Sequence, residues 1–321
     1  MSAPRALVTG GSGFVGQWLV RALLVRGYAV TSVSTHESSA LAVLTPEERG
    51  AVTWLTGDLR YGYDIAAALE TAQPDAVFHL AGMSFVPAAQ DAPIAAYEVN
   101  ALGAARLLQL IRTRRKVGTL DPTVLVIGSG EQYGRHDAQD MPLRETDETR
   151  PLTVYAASKA CQEIIALQAF RSDGVRVIAT RSFNHSGVGH ATNFLLPALV
   201  RRTLALRASG GTLTLGNGDV VRDFTHVADV ADAYCRLVEH GVPGEIYNVA
   251  SGAGTSVREL AAAVLHRAGV TAEISTDPAL LRPVDVPILV GSPDKLRAAT
   301  GWSPVRTRDD IIDDLIHAAS R

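Results

Sequence analysis

Two hydrophobic periods alternate along this chain. Short runs at 5–10 (RALVTG), 28–34 (YAVTSVS), 51–59 (AVTWLTGDL), 75–82 (DAVFHLAG), 122–129 (PTVLVIGS) and 175–182 (VRVIATRS) have the length and β-branched content of strands. They are apolar on both faces, which predicts burial in a parallel sheet with helices on each side. Longer amphipathic stretches at 14–27, 93–113 and 154–174 supply such helices, the first closed by Gly27. The pattern predicts an α/β chain with a doubly wound, Rossmann-type parallel sheet. After Ser182 the rhythm breaks. Residues 183–225 are richer in Gly, Asn and Arg, with a helix at 194–209 and short strands, while a helix at 226–240 and a strand at 244–251 return to the sheet. From about 255 the tail is helical, with a Pro-rich loop at 280–287. The expected organisation is a larger unit of 1–182 plus 226–252 and a smaller, interleaved one of 183–225 plus 253–321.

Composition changes this picture little. With 321 residues, 47% hydrophobic and 20% charged, the chain can bury a large core. A net charge of −3 and dispersed basic residues call for no nucleic-acid or anionic-membrane partner. The densest basic cluster, Arg112 to Lys116, ends a helix, where cations complement the dipole. The start lacks the apolar segment of a signal peptide and no run reaches membrane-spanning length, so a reducing cytoplasm is expected. Cys161 and Cys235 lie far apart in helical patterns and the nine histidines contain no HExxH, so neither a disulfide framework nor a metal site is expected.

Candidate chemistry starts at 9–16, TGGSGFVG, which follows the first strand and opens the first helix. Gly10 allows a tight turn, Gly13 lets the backbone approach a pyrophosphate on the helix N-terminus, and Gly16 permits close helix–strand packing, which together predict a dinucleotide site. At the end of the second strand an acid would bind a ribose 2′-hydroxyl and an arginine a 2′-phosphate. Ser34, Thr35 and His36 are neither, and the missing repulsion tilts the expectation towards NADP, with NAD as the other candidate. Asp58 and Leu59 end the third strand, where an adenine could rest, unless Asp58 serves only as a helix N-cap.

Tyr155 and Lys159 stand at i and i+4 on one helix face. A free phenol titrates near pH ~10, and a neighbouring ammonium is expected to lower that value. The phenol could then exchange a proton with an alkoxide or alcohol near neutral pH. Such a pair occurs often by chance on surface helices. Ser129 gives it weight, because it ends a buried strand, where α/β sheets keep their ligands, and can bond the oxygen that Tyr155 protonates. Glu131 is either a further acid–base group or a solvated loop carboxylate.

These segments together resemble the extended short-chain dehydrogenase/reductase superfamily. LAGMSFVP, YEVNALGAARLL, GSGEQYG, YAASKA, FNHSGVG, VRDFTHVADVADAY and YNVASG fall in the expected order across nearly the whole chain. The tail RPVDVPILVGSPDKLRAATGWSP resembles most specifically the branch of GDP-mannose 4,6-dehydratases and GDP-4-keto-6-deoxymannose reductases. Three departures lean towards the reductases. Phe14-Val15 replaces a Gln-Asp pair, Asn193-Phe194 is followed by Leu195, Leu196, Pro197 and Ala198 rather than basic residues, and serine stands at 129 where dehydratases place threonine. Glu131 occupies the position of the carboxylate with which dehydratases remove the proton beside the keto group, and similar reductases can keep it. Ser182 stands where the superfamily commonly has proline.

The resemblance implies an NAD(P)H-dependent 4-ketoreductase of a nucleotide-linked 4-keto-6-deoxyhexose, with a GDP-sugar favoured. In that reading Tyr155 is the general acid, Lys159 lowers its pKa and binds the nicotinamide ribose, Ser129 orients the ketone, and hydride goes to sugar C4. Phe14, Val15, Leu80, Ala81 and Gly82 join the cofactor site. Ser84, Asn184, Asn193, Arg222, Arg282 and Asp285 would hold the nucleotide-sugar, the arginines at its diphosphate. The residues alone leave Arg222 open to pairing with Asp223, and Asn184 to being a turn residue. The smaller unit would carry the sugar nucleotide, and a homodimer would form through helices at about 93–115 and 153–172. The alternative is a nucleotide-sugar 4,6-dehydratase or 4-epimerase with a recycled cofactor. A non-catalytic dinucleotide sensor is a third reading, disfavoured by the retained Tyr–Lys pair.

Overall fold

The two-sided strands pair as their burial requires. In the computed structural model, which describes residues 3–35, 43–280 and 285–320, β1 (Arg5–Thr9), β2 (Ala29–Ser34), β3 (Val52–Thr56), β4 (Ala76–His79), β5 (Thr123–Ser129) and β6 (Val177–Ser182) lie in one sheet. The chain leaves it for β7 (Asn184–Ser186), β8 (Thr212–Leu215) and β9 (Val221–His226), then returns as β10 (Ile246–Val249). The strand order is β10-β6-β5-β4-β1-β2-β3, parallel throughout. Winding reverses between β1 and β4, which opens a crevice at their C-terminal ends.

The helices are α1 (Phe14–Val25), α2 (Pro46–Gly50), α3 (Gly62–Ala72), α4 (Val86–Asp91), α5 (Pro93–Tyr97), α6 (Gly103–Lys116), α7 (Val154–Asp173), α8 (Leu195–Ser209) and α9 (Val227–His240). Side chains alternate along each strand between two cores. Ala6, Val8, Leu125 and Ile178 pack with α1 and α9, while Leu7, Val124, Val126 and Val177 pack with α3, α6 and α7. α3 has no counterpart among the helices expected from the sequence. Its buried positions, Ile65, Ala68, Leu69 and Ala72, have helical spacing within a short Ala-rich stretch. The single helix expected over 93–113 is divided by a π turn, Glu98–Leu102, between α5 and α6.

The rest of the chain forms β11 (Gly254–Ser256), α10 (Val257–Ala268), β12 (Glu273–Thr276), β13 (Ile288–Leu289), α11 (Asp294–Thr300) and α12 (Arg308–Ala319). α8, α10 and α12 enclose a third core with Leu213 and Leu215 of β8. Leu296 of α11 and the buried Trp302 instead join the α1/α9 core, where the indole N–H donates to the Asp229 carbonyl (3.0 Å). The expected smaller unit therefore shares both cores at its C-terminal end. No helix among the described residues is long and apolar enough to cross a membrane.

Candidate active site

The glycine loop is built for close approach. Gly10 has φ +78°, and a Cβ there would lie 2.9 Å from the Ala81 nitrogen. A Cβ on Gly16 would meet the Gly10 carbonyl at 2.2 Å, so the helix can pack on the loop only as glycine. Gly13 caps α1 with no side-chain hydrogen bond and no acid in the first turn. The first-turn N–H groups thus have neither a side-chain acceptor nor a competing carboxylate, a donor set that fits a pyrophosphate.

This loop forms one end of a cleft of about 1110 Å³. Gly10, Gly13, Phe14, Val15, Gly16, Thr35, Asp58, Leu80, Ala81 and Gly82 line it, as the sequence leads one to expect. Leu59 does not line it. Its side chain, in the turn after β3, is buried against Gly103 in the core beneath α6. Asp58 is not a helix cap: it accepts from the Arg60 N–H (2.9 Å) and ion-pairs with Arg60 (2.6 Å), while Tyr61 precedes α3. His36 and Arg282 lie outside the described residues.

At the middle of the cleft, β5 and α7 bring Ser129, Glu131, Tyr155 and Lys159 together. Ser129 caps a 3₁₀ turn, Gly130–Tyr133, and its Oγ accepts the Glu131 N–H (3.2 Å). That leaves its hydroxyl hydrogen for the phenol or for a ligand. Removal from water pushes the Tyr155 phenol up to about 12, while a hydrogen bond with Ser129 pulls it back and the Glu131 charge adds to the rise. The net direction is therefore upward, against the lowering expected from the Lys159 neighbour alone. Lys159 is itself buried, its pKa lowered to about 8 by desolvation, and its Nζ donates to the Ile127 carbonyl (2.8 Å) and Gln162 Oε1 (2.9 Å). Desolvation is the largest influence on both groups. Glu131 lies on the cleft wall rather than in a solvated loop.

Behind these groups lies a buried polar network that sequence reasoning missed. Gln132 accepts the Ser129 N–H (2.9 Å) and donates to Glu163 (3.0 Å), which forms a two-pronged pair with Arg181 (2.8 and 2.9 Å). Arg181 also stacks over Tyr133 at 4.7 Å. In the π turn, Asn100 is fully buried, holds both the N–H and carbonyl of Met83, and donates to Ser158 one turn from Tyr155. The only sequence signal for either group is a polar residue inside an otherwise apolar helix face.

At the far end, Ser84, Asn184, Asn193, Arg222 and Asp285 line the cleft. Asn184 is in β7, not in a turn. Arg222 pairs with Asp285 (2.9 Å) and not with Asp223, which is buried and accepts the N–H groups of Ser251 and Gly252 (2.9 and 3.0 Å). An aromatic column missed in the sequence crosses between the two ends. His190 stacks on Phe14 at 4.3 Å and meets the tilted Phe194 ring at 4.4 Å, and burial holds its pKa down at about 3, so the ring is neutral. Among the described residues no cluster of His, Cys, Asp and Glu could hold a metal ion.

Residues 7–315 match the family model described as GDP-mannose 4,6 dehydratase. The chain belongs to this family. The GDP-6-deoxy-D-mannose reductase of Pseudomonas aeruginosa is 34% identical to this family member over 307 residues, 94% of this chain and 92% of that protein. The GDP-6-deoxy-D-talose 4-dehydrogenase of Aggregatibacter actinomycetemcomitans is 32% identical, over 92% of this chain and 91% of its own. Among solved structures, RMD from Pseudomonas aeruginosa complexed with NADPH superposes with a TM-score of 0.80 at 32% identity, covering 99% of this chain and 100% of that one.

Proposed function

We propose that this member of the GDP-mannose 4,6-dehydratase family is an NAD(P)H-dependent 4-ketoreductase of a nucleotide-linked 4-keto-6-deoxyhexose, with a GDP-sugar as favoured substrate. The observation that carries the reading is the convergence of Ser129, Tyr155 and Lys159 in a cleft that starts at the glycine loop. The names of the Pseudomonas and Aggregatibacter relatives support the GDP-sugar, and the NADPH complex supports NADP. The neutral Ser34 and Thr35 at the end of β2 agree with NADP while leaving room for NAD.

In this reading Gly10, Gly13, Phe14, Val15, Gly16, Thr35, Asp58, Leu80, Ala81, Gly82 and Lys159 hold the dinucleotide. The nicotinamide, when bound, supplies the hydride. Ser129 donates a hydrogen bond to the ketone oxygen, which polarises the carbonyl. Tyr155 stays protonated at neutral pH and gives its proton to that oxygen as charge develops. The buried Lys159 ammonium offsets the phenolate left behind. Ser84, Asn184, Asn193 and the Arg222–Asp285 pair position the sugar nucleotide. The test is absorbance at 340 nm with purified enzyme, NADPH or NADH, and GDP-4-keto-6-deoxymannose made in situ. Steady oxidation is expected, and its absence with both cofactors would remove the reading.

A second reading, the 4,6-dehydratase, draws on the position of Glu131 close enough to Tyr155 to disfavour its ionisation. The two readings part on Glu131→Gln. In the ketoreductase, turnover should stay within a few-fold of the parent, since Glu131 neither donates the proton nor binds the hydride donor. In a dehydratase that uses this carboxylate as base, conversion of GDP-mannose should fall by about 10²–10⁴.

The assembly expected is a homodimer through α5, α6 and α7. Ile94 of α5, Leu102 of the π turn and Ile164 of α7 are 78%, 49% and 67% exposed, apolar side chains that a partner copy would cover. Light scattering should give twice the chain mass, and Ile164→Asp should halve it; a monomeric parent would dismiss the dimer. A reducing cytoplasm suits the two free thiols, Cys161 and Cys235, and cell fractionation checks it.

A further inference from the structure

We propose that the hydroxyls of Ser182 and Tyr234 form a second polar contact in the cleft, which receives the carboxamide of the nicotinamide and fixes the rotation of the ring. The inference rests on the cofactor reading above and extends it to two residues outside the Ser129–Tyr155–Lys159 group.

β5 and β6 pair in a register that makes Ser129 and Ser182 Cα partners. Partners in neighbouring strands stand about 5 Å apart, with side chains on the same face of the sheet. Both serines line the cleft. α9 runs along this face and contributes Tyr234, fully buried yet touching the cleft, with its hydroxyl 2.7 Å from Ser182 Oγ. Thr180 Oγ1 lies 3.2 Å from Ser182 Oγ. The Tyr234 phenol is also near enough to Tyr155 to feel a charge there.

A proton count leaves this chain of hydroxyls one hydrogen to give. Three hydroxyls carry three hydrogens, and the two contacts between them use two. One hydrogen remains to be donated, together with unused lone pairs, among groups that are each at least nine-tenths buried. Buried hydroxyls normally have all such hydrogens placed. Val15 and Ile127 add apolar surface to the same cleft.

The nicotinamide matches this site. Hydride transfer requires the donor carbon to lie within about 3–3.5 Å of the acceptor carbon, and the acceptor's oxygen meets Ser129 and Tyr155. The ring must therefore sit beside Ser129, and Ser182 is the next residue across the sheet. The ring is flat and apolar and carries one planar amide. Val15 and Ile127 suit the ring, while the spare hydrogen suits the amide oxygen and a hydroxyl lone pair suits the amide N–H. Proline at 182 would bring no hydroxyl, so the contact belongs to this chain's serine.

The test is a fluorescence titration without sugar substrate, using NADPH and its reduced 3-acetylpyridine analogue, in which a methyl replaces the amide nitrogen. The parent should bind NADPH roughly three- to tenfold more tightly than the analogue, the range of one net hydrogen bond. In Ser182→Ala and in Tyr234→Phe that ratio should fall towards one. Binding of 2′-phospho-ADP-ribose, which has no nicotinamide, should not change in either variant. An unchanged ratio in both variants would overturn the proposal, as would an equal loss of 2′-phospho-ADP-ribose binding, which would mark the hydroxyls as purely structural. A parent that binds no dinucleotide would take away the cofactor reading itself, a result separable from the other two.

Discussion

Tyr155→Phe is expected to leave NADPH affinity within a few-fold of the parent and to lower kcat by about 10²–10⁴, the usual contribution of a placed general acid. The substitution removes one oxygen from a residue whose ring stays packed at the cleft wall, so the fold has little reason to change. Stopped-flow or steady-state decay at 340 nm reads the rate, and cofactor fluorescence reads the binding. Turnover near that of the parent would return the proton-donor role to another group. The same chemistry sets a pH profile. The phenol, pushed up to about 12, keeps its proton throughout the working range. Lys159, brought down to about 8, loses its charge first as pH rises. In the proposed mechanism its ammonium offsets the developing phenolate, so kcat/KM for reduction should be flat below about pH 7 and decline through pH 8. A decline that begins only beyond pH 10 would mean that the Lys159 charge plays no part.

The largest loss of stability is expected at Glu163→Ala. Glu163 and Arg181 are 8% and 5% exposed and bonded through two prongs. Truncating the carboxylate leaves a buried guanidinium without its counter-charge, a change of about 3–5 kcal/mol. Urea unfolding should register it. Replacing the pair together, Glu163→Leu with Arg181→Met, should recover most of that loss, because no charge is then stranded. Activity should not recover with it. Gln132 donates to Glu163 and accepts the Ser129 N–H, so the apolar pair would still leave the Ser129 turn without its anchor. Full recovery of both would show the network to be inert scaffolding.

What could be read from the sequence divides along a physical line. The sheet was legible because strands buried on both faces are written as uninterrupted apolar runs. The glycine loop and Tyr155–Lys159 were legible because their chemistry depends on spacing within one segment. α3 was hidden by its short, Ala-rich composition, and β11 and β13 by lengths of three and two residues, too brief for any period. The supporting residues were hidden because their partners are remote in the chain: Asn100 and Ser158 are 58 positions apart, Ser182 and Tyr234 are 52. The lysine's effect on Tyr155 was misjudged for a related reason. Spacing gives proximity, whereas the phenol's ionisation is set by burial, which only the assembled fold determines. Leu59 is the same lesson in a strand exit, where one residue's turn inward separates a core position from a cleft position.

The π turn at Glu98–Leu102 has a consequence for how this chain can vary. Each residue of an α-helix turns the backbone by about 100°, so a π turn amounts to one surplus residue accommodated as a local bulge. Asn100 reaches Met83 and Ser158 only from within that bulge. Deleting a single position between α5 and α6 would restore a regular helix with its two flanks left in phase, and would remove the bulge that carries Asn100. A one-residue gap there would spare the phase of the flanking helices and still carry Asn100 away from the loop that it fastens.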